Sequence, residues 1–200
     1  MFYKKANFNL STESSQYVIE LYKDKFNTQF THDLDNKISN TFIFTKAGIE
    51  IRDYLKSKNL LTKNIKFQTF ISNNNRWFKG NPHIDITPGT NPKIIKTRFN
   101  ILILGNPQDK MFWWSNFYSI NQLELMDFTD LTGICYKSYG IPGKCIEDRW
   151  SYIGNSSFCD SNILTSSAFV KTNCLHTVNV SPGPRLVLSI PLDVDIENIV

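Results

Sequence analysis

The amino-acid sequence predicts a mainly β fold in which a core of short strands carries a helical cover from the N-terminal part of the chain. The chain has 200 residues, 41% of them hydrophobic and 14% aromatic, which suffices for one domain with a sizeable core. Helix-spaced apolar residues occur within residues 1–60, whereas short alternating runs separated by Gly and Pro dominate residues 65–192. Many short strands in one domain are typical of a sandwich, barrel or jelly roll. We therefore expect residues 1–200 to form a single domain.

Two helices are predicted within residues 1–60. The first begins at Ser11 and Thr12 and carries apolar side chains at helical spacing as far as Phe26. The second begins after Thr45, a residue type that caps helices, and ends at Lys58. Because charged residues separate the apolar positions, each helix should have one packed and one solvated face, as a cover on a β core would.

Alternating patterns continue through most of the remaining chain, with turn signals such as Pro88-Gly89 and Ser181-Pro182-Gly183-Pro184 between them. The interval from about 115 to 167 is less regular, and we interpret it as an insertion between core strands. Such an excursion either contacts a substrate or packs on the end of the barrel. The strands predicted within the 65–192 core are 65–72, 83–87, 94–104, 111–114, 168–172, 176–180 and 185–192.

Composition excludes several classes of protein. The net charge of +4 comes from 22 basic and 18 acidic residues that do not cluster, so a nucleic-acid partner is not expected. The apolar stretches are too short to cross a membrane, and polar residues follow the start of the chain where a signal peptide would be apolar. We expect a cytoplasmic protein whose four cysteines, in the absence of an export signal, are reduced.

Two of the three histidines stand in predicted strands. In His83-Ile84-Asp85 the polar side chains are two residues apart, so on a strand they share one face while Ile84 points to the other. His176, in a later strand, is the candidate for a third ligand. Two histidines and one carboxylate form the facial triad of non-haem Fe(II) sites, which leaves coordination positions open for a bidentate cosubstrate and for oxygen.

A buried cation is predicted near this site. The turn at residues 181–184 predicts a hairpin that would place Arg185 and Ser189, on one face of the last strand, beside the strand of His176. A guanidinium inside a barrel is costly unless it meets an anion, and its fork matches a carboxylate. A dicarboxylate would supply that anion.

The ordered set His83-Ile84-Asp85, His176 and Arg185 resembles the Fe(II)- and 2-oxoglutarate-dependent oxygenases, in a branch similar to the prolyl and aspartyl hydroxylases. The resemblance covers about residues 65–192. It implies a double-stranded β-helix, a jelly roll of the cupin-like type, with N-terminal helices packed on the major sheet. It also implies Fe(II) on the three ligands, 2-oxoglutarate on Arg185, and O2 as the oxidant, with hydroxylation of a C–H bond and release of succinate and CO2.

Three positions refine the roles that the resemblance implies for the site residues. Val187 replaces a Ser often found two residues after the Arg, so the hydroxyl role passes to Ser189. Asn100, which shares a strand face with Arg98, either reaches the cosubstrate or makes a cross-strand hydrogen bond. Asp85 is retained, which favours hydroxylation over halogenation.

The sequence leaves the substrate open between a peptide and a small molecule, and it does not indicate an oligomeric state. Two alternatives remain: a non-catalytic jelly-roll binding module, and a cupin-type metalloenzyme that does not use 2-oxoglutarate. The presence of all three ligands together with Arg185 argues against the binding module, because such a module has no need of a buried cation. Binding of 2-oxoglutarate separates the oxygenase from the cupin-type enzyme.

Overall fold

The computed structural model describes residues 1–24, 31–33, 41–61, 65, 67–74, 78–87, 93–114, 123–129, 135–141 and 160–200. Its two principal helices are α1 (Thr12–Tyr22) and α2 (Lys46–Ser57), and a short 3-10 helix lies at Ile196–Asn198. The strands are β1 (Tyr3–Lys5), β2 (Thr31–Asp33), β3 (Gln68–Asn74), β4 (Phe78–Lys79), β5 (His83–Ile84), β6 (Thr97–Leu104), β7 (Lys110–Trp114), β8 (Glu124–Thr129), β9 (Cys135–Gly140), β10 (Asp160–Ile163), β11 (Ala168–Lys171), β12 (Leu175–Val180) and β13 (Gly183–Leu192).

These strands form two antiparallel sheets. The major sheet has the order β1-β11-β6-β13-β3-β2, and the minor sheet has the order β10-β7-β12-β5-β9-β8 with β4 beside β12. From β10 to β13, successive strands alternate between the minor and the major sheet, and β5, β6 and β7 alternate in the same way. This alternation is the jelly-roll arrangement, so the predicted mainly β, double-stranded β-helix fold is confirmed.

Both helices begin at the residues that the sequence predicts. The hydroxyl of Ser11 accepts a hydrogen bond from the Ser14 amide at 3.3 Å, and that of Thr45 accepts one from the Gly48 amide at 3.2 Å. Such caps satisfy amides that have no partner within the helix. α1 ends at Tyr22, and Phe26, the last apolar residue of the predicted helix, lies outside the described residues.

The helices cover the outer face of the major sheet. Their buried side chains, Val18 and Ile51 among them, join one core cluster with Phe99 of β6 and Leu188 of β13. Burying a side chain of this size contributes about 1.5–3 kcal/mol relative to leaving it exposed. The predicted packing of the N-terminal helices on the major sheet is therefore confirmed.

The same cluster fixes which side chains point between the sheets. Leu186, Leu188 and Ile190 of β13 pack with the helices, so Arg185 and Ser189 point to the opposite, inner face.

No described helix combines the length and the apolar character that crossing a membrane would require. The division of the chain as a single domain stays a prediction.

The predicted hairpin between the last two strands is wrong. β12 pairs with β4, β5 and β7 in the minor sheet, whereas β13 lies between β3 and β6 in the major sheet. Pro182 and Pro184 cannot donate ladder hydrogen bonds, and Gly183 has a φ of 116°, which favours glycine. The segment is thus a crossing between sheets, and Arg185 faces the strand of His176 across the barrel.

The interval of about 115–167 contains more regular structure than its sequence suggests. β10, which falls within it, is a strand of the minor sheet beside β7, and β8 and β9 pair with each other. β9 also pairs with β5, where Gly140 is opposite His83. The described part of the predicted insertion therefore extends the sheet that carries the candidate ligands.

Candidate functional site

The structure brings together the three predicted metal ligands. His83 and His176 are directly opposite each other on β5 and β12, and Asp85 follows β5 by one residue. Asp85 Oδ1 lies 3.1 Å from His83 Nε2 and 3.7 Å from His176 Nε2. All three ligand atoms lie within 4.8 Å of one another, and among the described residues no other group of His, Cys, Asp or Glu does so. The side chain of His83 is the most accessible at 23%, so the triad opens on its side.

Both imidazoles are oriented by backbone carbonyl groups. His83 Nδ1 lies 2.5 Å from the Asn81 carbonyl oxygen, and His176 Nδ1 lies 2.9 Å from the Cys174 carbonyl oxygen. A carbonyl oxygen only accepts, so each Nδ1 carries the proton. Nε2 is therefore the nitrogen that faces Asp85 in both rings, and it can ligate a metal once it carries no proton.

Asp85 is held from its other side by an arginine. Arg98 Nε on β6 donates to Asp85 Oδ2, and Arg98 Nη1 donates to the Gln68 side-chain oxygen. The same Nη1 lies 3.5 Å from Ser189 Oγ, which donates to Asn100 Oδ1 at 2.6 Å. Both predicted cosubstrate residues Ser189 and Asn100 therefore belong to the network around Arg98.

Charges determine the protonation of the triad. Burial alone would raise the pKa of Asp85, but Arg98 and the two imidazoles hold it well below its usual value. Burial lowers the pKa of His176 to about 4, against the attraction of Asp85. Burial would also lower the pKa of His83, but its hydrogen bond to Asp85, the Asp85 charge and the Asn81 carbonyl raise it. At neutral pH the carboxylate is ionised and His176 is neutral.

The predicted cosubstrate anchor, Arg185, has a carboxylate partner within the chain. Its Nε lies 3.1 Å from Oδ2 of Asp109, which is fully buried at the β6–β7 turn. Asp109 Oδ1 accepts from the Ser181 amide at 2.8 Å and from its hydroxyl at 2.7 Å. Burial lowers the pKa of Arg185, and Asp109 opposes that shift. The sequence predicts a dicarboxylate as the anion for this guanidinium, and the structure adds Asp109, a partner within the chain that the sequence did not indicate.

Arg185 nevertheless retains unused donors. Within the described residues no hydrogen bond engages either of its Nη atoms, and its contact with Asp109 involves Nε. A guanidinium has five N–H donors, of which Nη1 and Nη2 carry four. The residue can thus bind a second anion while it stays paired with Asp109.

Sequence reasoning missed the roles of Arg98, Gln68 and Asp109. For Arg98 a signal existed, since it shares a strand face with Asn100. Asp109 follows Asn106-Pro107-Gln108 and has the sequence character of an exposed turn residue, although its exposure is zero. Only the packing of the turn against Ser181 and Arg185 buries it.

The donor set fits a divalent metal of the first transition row. Two neutral imidazole nitrogens and one carboxylate oxygen suit Fe(II), and ligand atoms of a facial set with bonds of about 2.1 Å lie about 3 Å apart. The separation of 3.1 Å between His83 Nε2 and Asp85 Oδ1 meets this requirement, and the separation of 3.7 Å between His176 Nε2 and Asp85 Oδ1 is longer by about 0.7 Å. His83, Asp85 and His176 are therefore the residues that could hold such an ion.

Comparison with known proteins gives neighbours among solved structures only. No family model matches the chain, and no curated protein matches it. It is similar to a viral collagen prolyl hydroxylase from Paramecium Bursaria Chlorella virus-1 in complex with 2OG, with 11% identity, a TM-score of 0.43, and coverage of 96% of this chain and 95% of that one. It is also similar to HygX from Streptomyces hygroscopicus with iron bound, with 10% identity, a TM-score of 0.46, and coverage of 94% and 81%.

One of these structures was determined with 2OG and the other with iron. Within the part of the chain that the structure describes, the groups that offer chemistry are the triad and the two buried arginines.

Proposed function

We propose that the chain is an Fe(II)- and 2-oxoglutarate-dependent dioxygenase that hydroxylates a C–H bond of a peptide side chain or a small molecule. The observation that carries the proposal is the pairing of a His-Asp-His triad with a buried arginine whose Nη atoms make no hydrogen bond to any described residue. In this proposal His83, Asp85 and His176 hold the metal, and Arg185 binds the distal carboxylate of 2-oxoglutarate. Fe(II), when bound, would activate O2, whose four-electron reduction takes two electrons from 2-oxoglutarate as it is converted to succinate and CO2 and two from the C–H bond that is hydroxylated.

Charge balance supports a dianionic cosubstrate. Among the described residues, the charged side chains in and around the barrel interior are Arg98, Arg185, Asp85 and Asp109, and with neutral histidines their charges sum to zero. A divalent metal on the triad adds two positive charges in a poorly solvated site. A dianion restores neutrality, whereas a neutral ligand would leave the charge uncompensated.

The chain's own residues prepare the site in three ways. The carbonyls of Asn81 and Cys174 hold both imidazoles in the tautomer that ligates a metal. Asp109 forms an ion pair with Arg185 at Nε, 3.1 Å away and without hydrogen-bond geometry, which leaves the Nη donors for another anion. Ser189 and Asn100, which the sequence assigns to the cosubstrate, are proposed to line the space beside Arg98.

Anaerobic binding of Fe(II) followed by 2-oxoglutarate tests the proposal without knowledge of the substrate. A 2-oxo acid chelated to Fe(II) gives a metal-to-ligand charge-transfer band in the visible spectrum. We expect this band in the parent protein, its loss in His83→Ala, and its retention in His32→Ala, the remaining histidine, which lies in β2. A folded parent that binds Fe(II) but gives no band would contradict the oxygenase and leave the cupin-type enzyme or the binding module.

A further inference from the structure

The two oxygens of Asp85 face different partners. Oδ1 lies near the Nε2 atoms of His83 and His176, at 3.1 and 3.7 Å, whereas Oδ2 accepts a hydrogen bond from Arg98 Nε. The carboxylate is therefore divided between a ligand oxygen and an oxygen occupied by the protein. A metal at the triad would meet the first and would have to displace a guanidinium to reach the second.

Arg98 is well fixed for this role. Its side chain is 6% exposed, and its Nη1 is bound by the Gln68 side chain and lies 3.5 Å from Ser189 Oγ. Gln68 and Ser189 are directly opposite each other on β3 and β13, so two strands of the major sheet support one guanidinium. Moving Arg98 off Asp85 would break these contacts and leave a charge unpaired in the barrel, which is costly.

The number of oxygens that Asp85 gives to a metal decides what else can bind. In an octahedral site, two histidines and one carboxylate oxygen leave three positions, enough for a bidentate 2-oxo acid and one further ligand. A carboxylate that used both oxygens would leave two positions, and the 2-oxo acid would fill them. The position for oxygen would then be lost.

We propose that Arg98 is a positioning residue that holds Asp85 as a one-oxygen ligand and thereby keeps the third metal position open. The use of the open position for oxygen rests on the proposed function. The number of Asp85 oxygens that contact the metal does not depend on it. It predicts that Asp85 turns toward the metal with both oxygens once the guanidinium is removed.

Water-proton relaxation by bound Mn(II) tests this claim, because relaxivity scales with the number of waters on the ion and Mn(II) accepts octahedral oxygen and nitrogen ligands. The parent protein is expected to retain about three waters, and Arg98→Gln about two, so that relaxivity falls by about one third. Arg52→Gln, a matched change in α2, should leave the parent's value. Bound Mn(II) compensates the Asp85 charge that the Arg98 variant leaves unpaired, which helps it to fold.

The outcomes separate the inference from the proposed function. Equal relaxivity of the parent and a folded Arg98→Gln would overturn the inference, as would a parent that holds only two waters even if the variant failed to fold. Adding 2-oxoglutarate then tests the function: it should leave about one water in the parent and none in the variant. An unchanged relaxivity on addition of 2-oxoglutarate would overturn the proposed cosubstrate. It would not affect the conclusion on Arg98, which depends only on the comparison of the two Mn(II)-loaded proteins.

Discussion

The barrel contains two buried Arg–Asp ion pairs. In one pair the aspartate can bind a further ligand, and in the other pair the arginine can. At the triad, Arg98 occupies one oxygen of Asp85, and the other oxygen faces two imidazoles. At the β6–β7 turn, Ser181 and Arg185 engage both oxygens of Asp109, and within the described residues the Nη atoms of Arg185 have no hydrogen bond. The first pair therefore offers a carboxylate oxygen to a cation, and the second offers N–H donors to an anion.

In each pair, the group that can bind a ligand is the one whose atoms the protein does not fully engage: Oδ1 of Asp85 in the first pair and the Nη atoms of Arg185 in the second. Ser189, beside Arg98, and Arg185 are four residues apart on one face of β13, which separates their Cα atoms by about 13 Å. Side chains from both positions reach into the space between the sheets. The two pairs are thus placed to act as the ends of one elongated site.

The largest effect on stability is expected at the second pair. Asp109→Asn should lower the free energy of unfolding by about 3–5 kcal/mol, because it leaves the Arg185 charge buried without a counter-charge. Affinity for Mn(II) in the folded protein should stay at the parent's value, since Asp109 does not contact the triad. Urea denaturation measures the first quantity and calorimetry the second; a stability change below about 1 kcal/mol would show that solvent reaches this pair.

The matched change at the first pair should weaken metal binding strongly and change the free energy of unfolding less. Asp85→Asn should weaken Mn(II) binding by at least about 100-fold, because it removes the anionic ligand itself rather than a supporting group. The amide oxygen can still accept from Arg98, so unfolding should change less than in Asp109→Asn. Metal affinity within threefold of the parent would remove Asp85 from the ligand set.

The triad should also make stability depend on pH. The pKa of His176 is about 4 in the folded protein, so as pH falls below about 6.5 the unfolded chain binds a proton that the folded one does not. This costs the metal-free protein about 2 kcal/mol at pH 5 relative to pH 7. His83 acts in the other direction, because its raised pKa contributes stability at low pH that is lost as pH rises through that pKa.

His176→Gln isolates the first contribution. The variant should lose less stability than the parent between pH 7 and pH 5, by about 2 kcal/mol, while His32→Gln should follow the parent. Urea denaturation at the two pH values gives the comparison. Parallel curves for the parent and His176→Gln would mean that the imidazole is solvated.

Much of this architecture follows from local pattern. Alternation along a strand places His83 and Asp85 on one face, and capping residues mark the start of both helices. The fold class and the candidate triad were predictable for this reason. The metal assignment itself stays a prediction that the geometry supports.

The missed features depend on contacts between distant segments. Arg98 meets Asp85 from the opposite sheet, and the burial of Asp109 depends on Ser181, 72 residues further along the chain. The Pro-rich turn before Arg185 resembles a hairpin turn in sequence, and only the pairing of β13 with β3 and β6 shows that it joins two sheets. No periodicity within one strand encodes such contacts.

The most direct test of the central claim compares two ligands on two proteins loaded with Mn(II). 2-Oxoglutarate and 2-oxobutyrate share the metal-binding end, but only the first has a distal carboxylate. The parent should bind 2-oxoglutarate about 10–100-fold more tightly, since a charged hydrogen bond contributes about 1.5–3 kcal/mol. Arg185→Met should reduce that preference to within about threefold while it leaves 2-oxobutyrate affinity unchanged. A preference retained in full by Arg185→Met would contradict the account that the two buried pairs are the ends of one site.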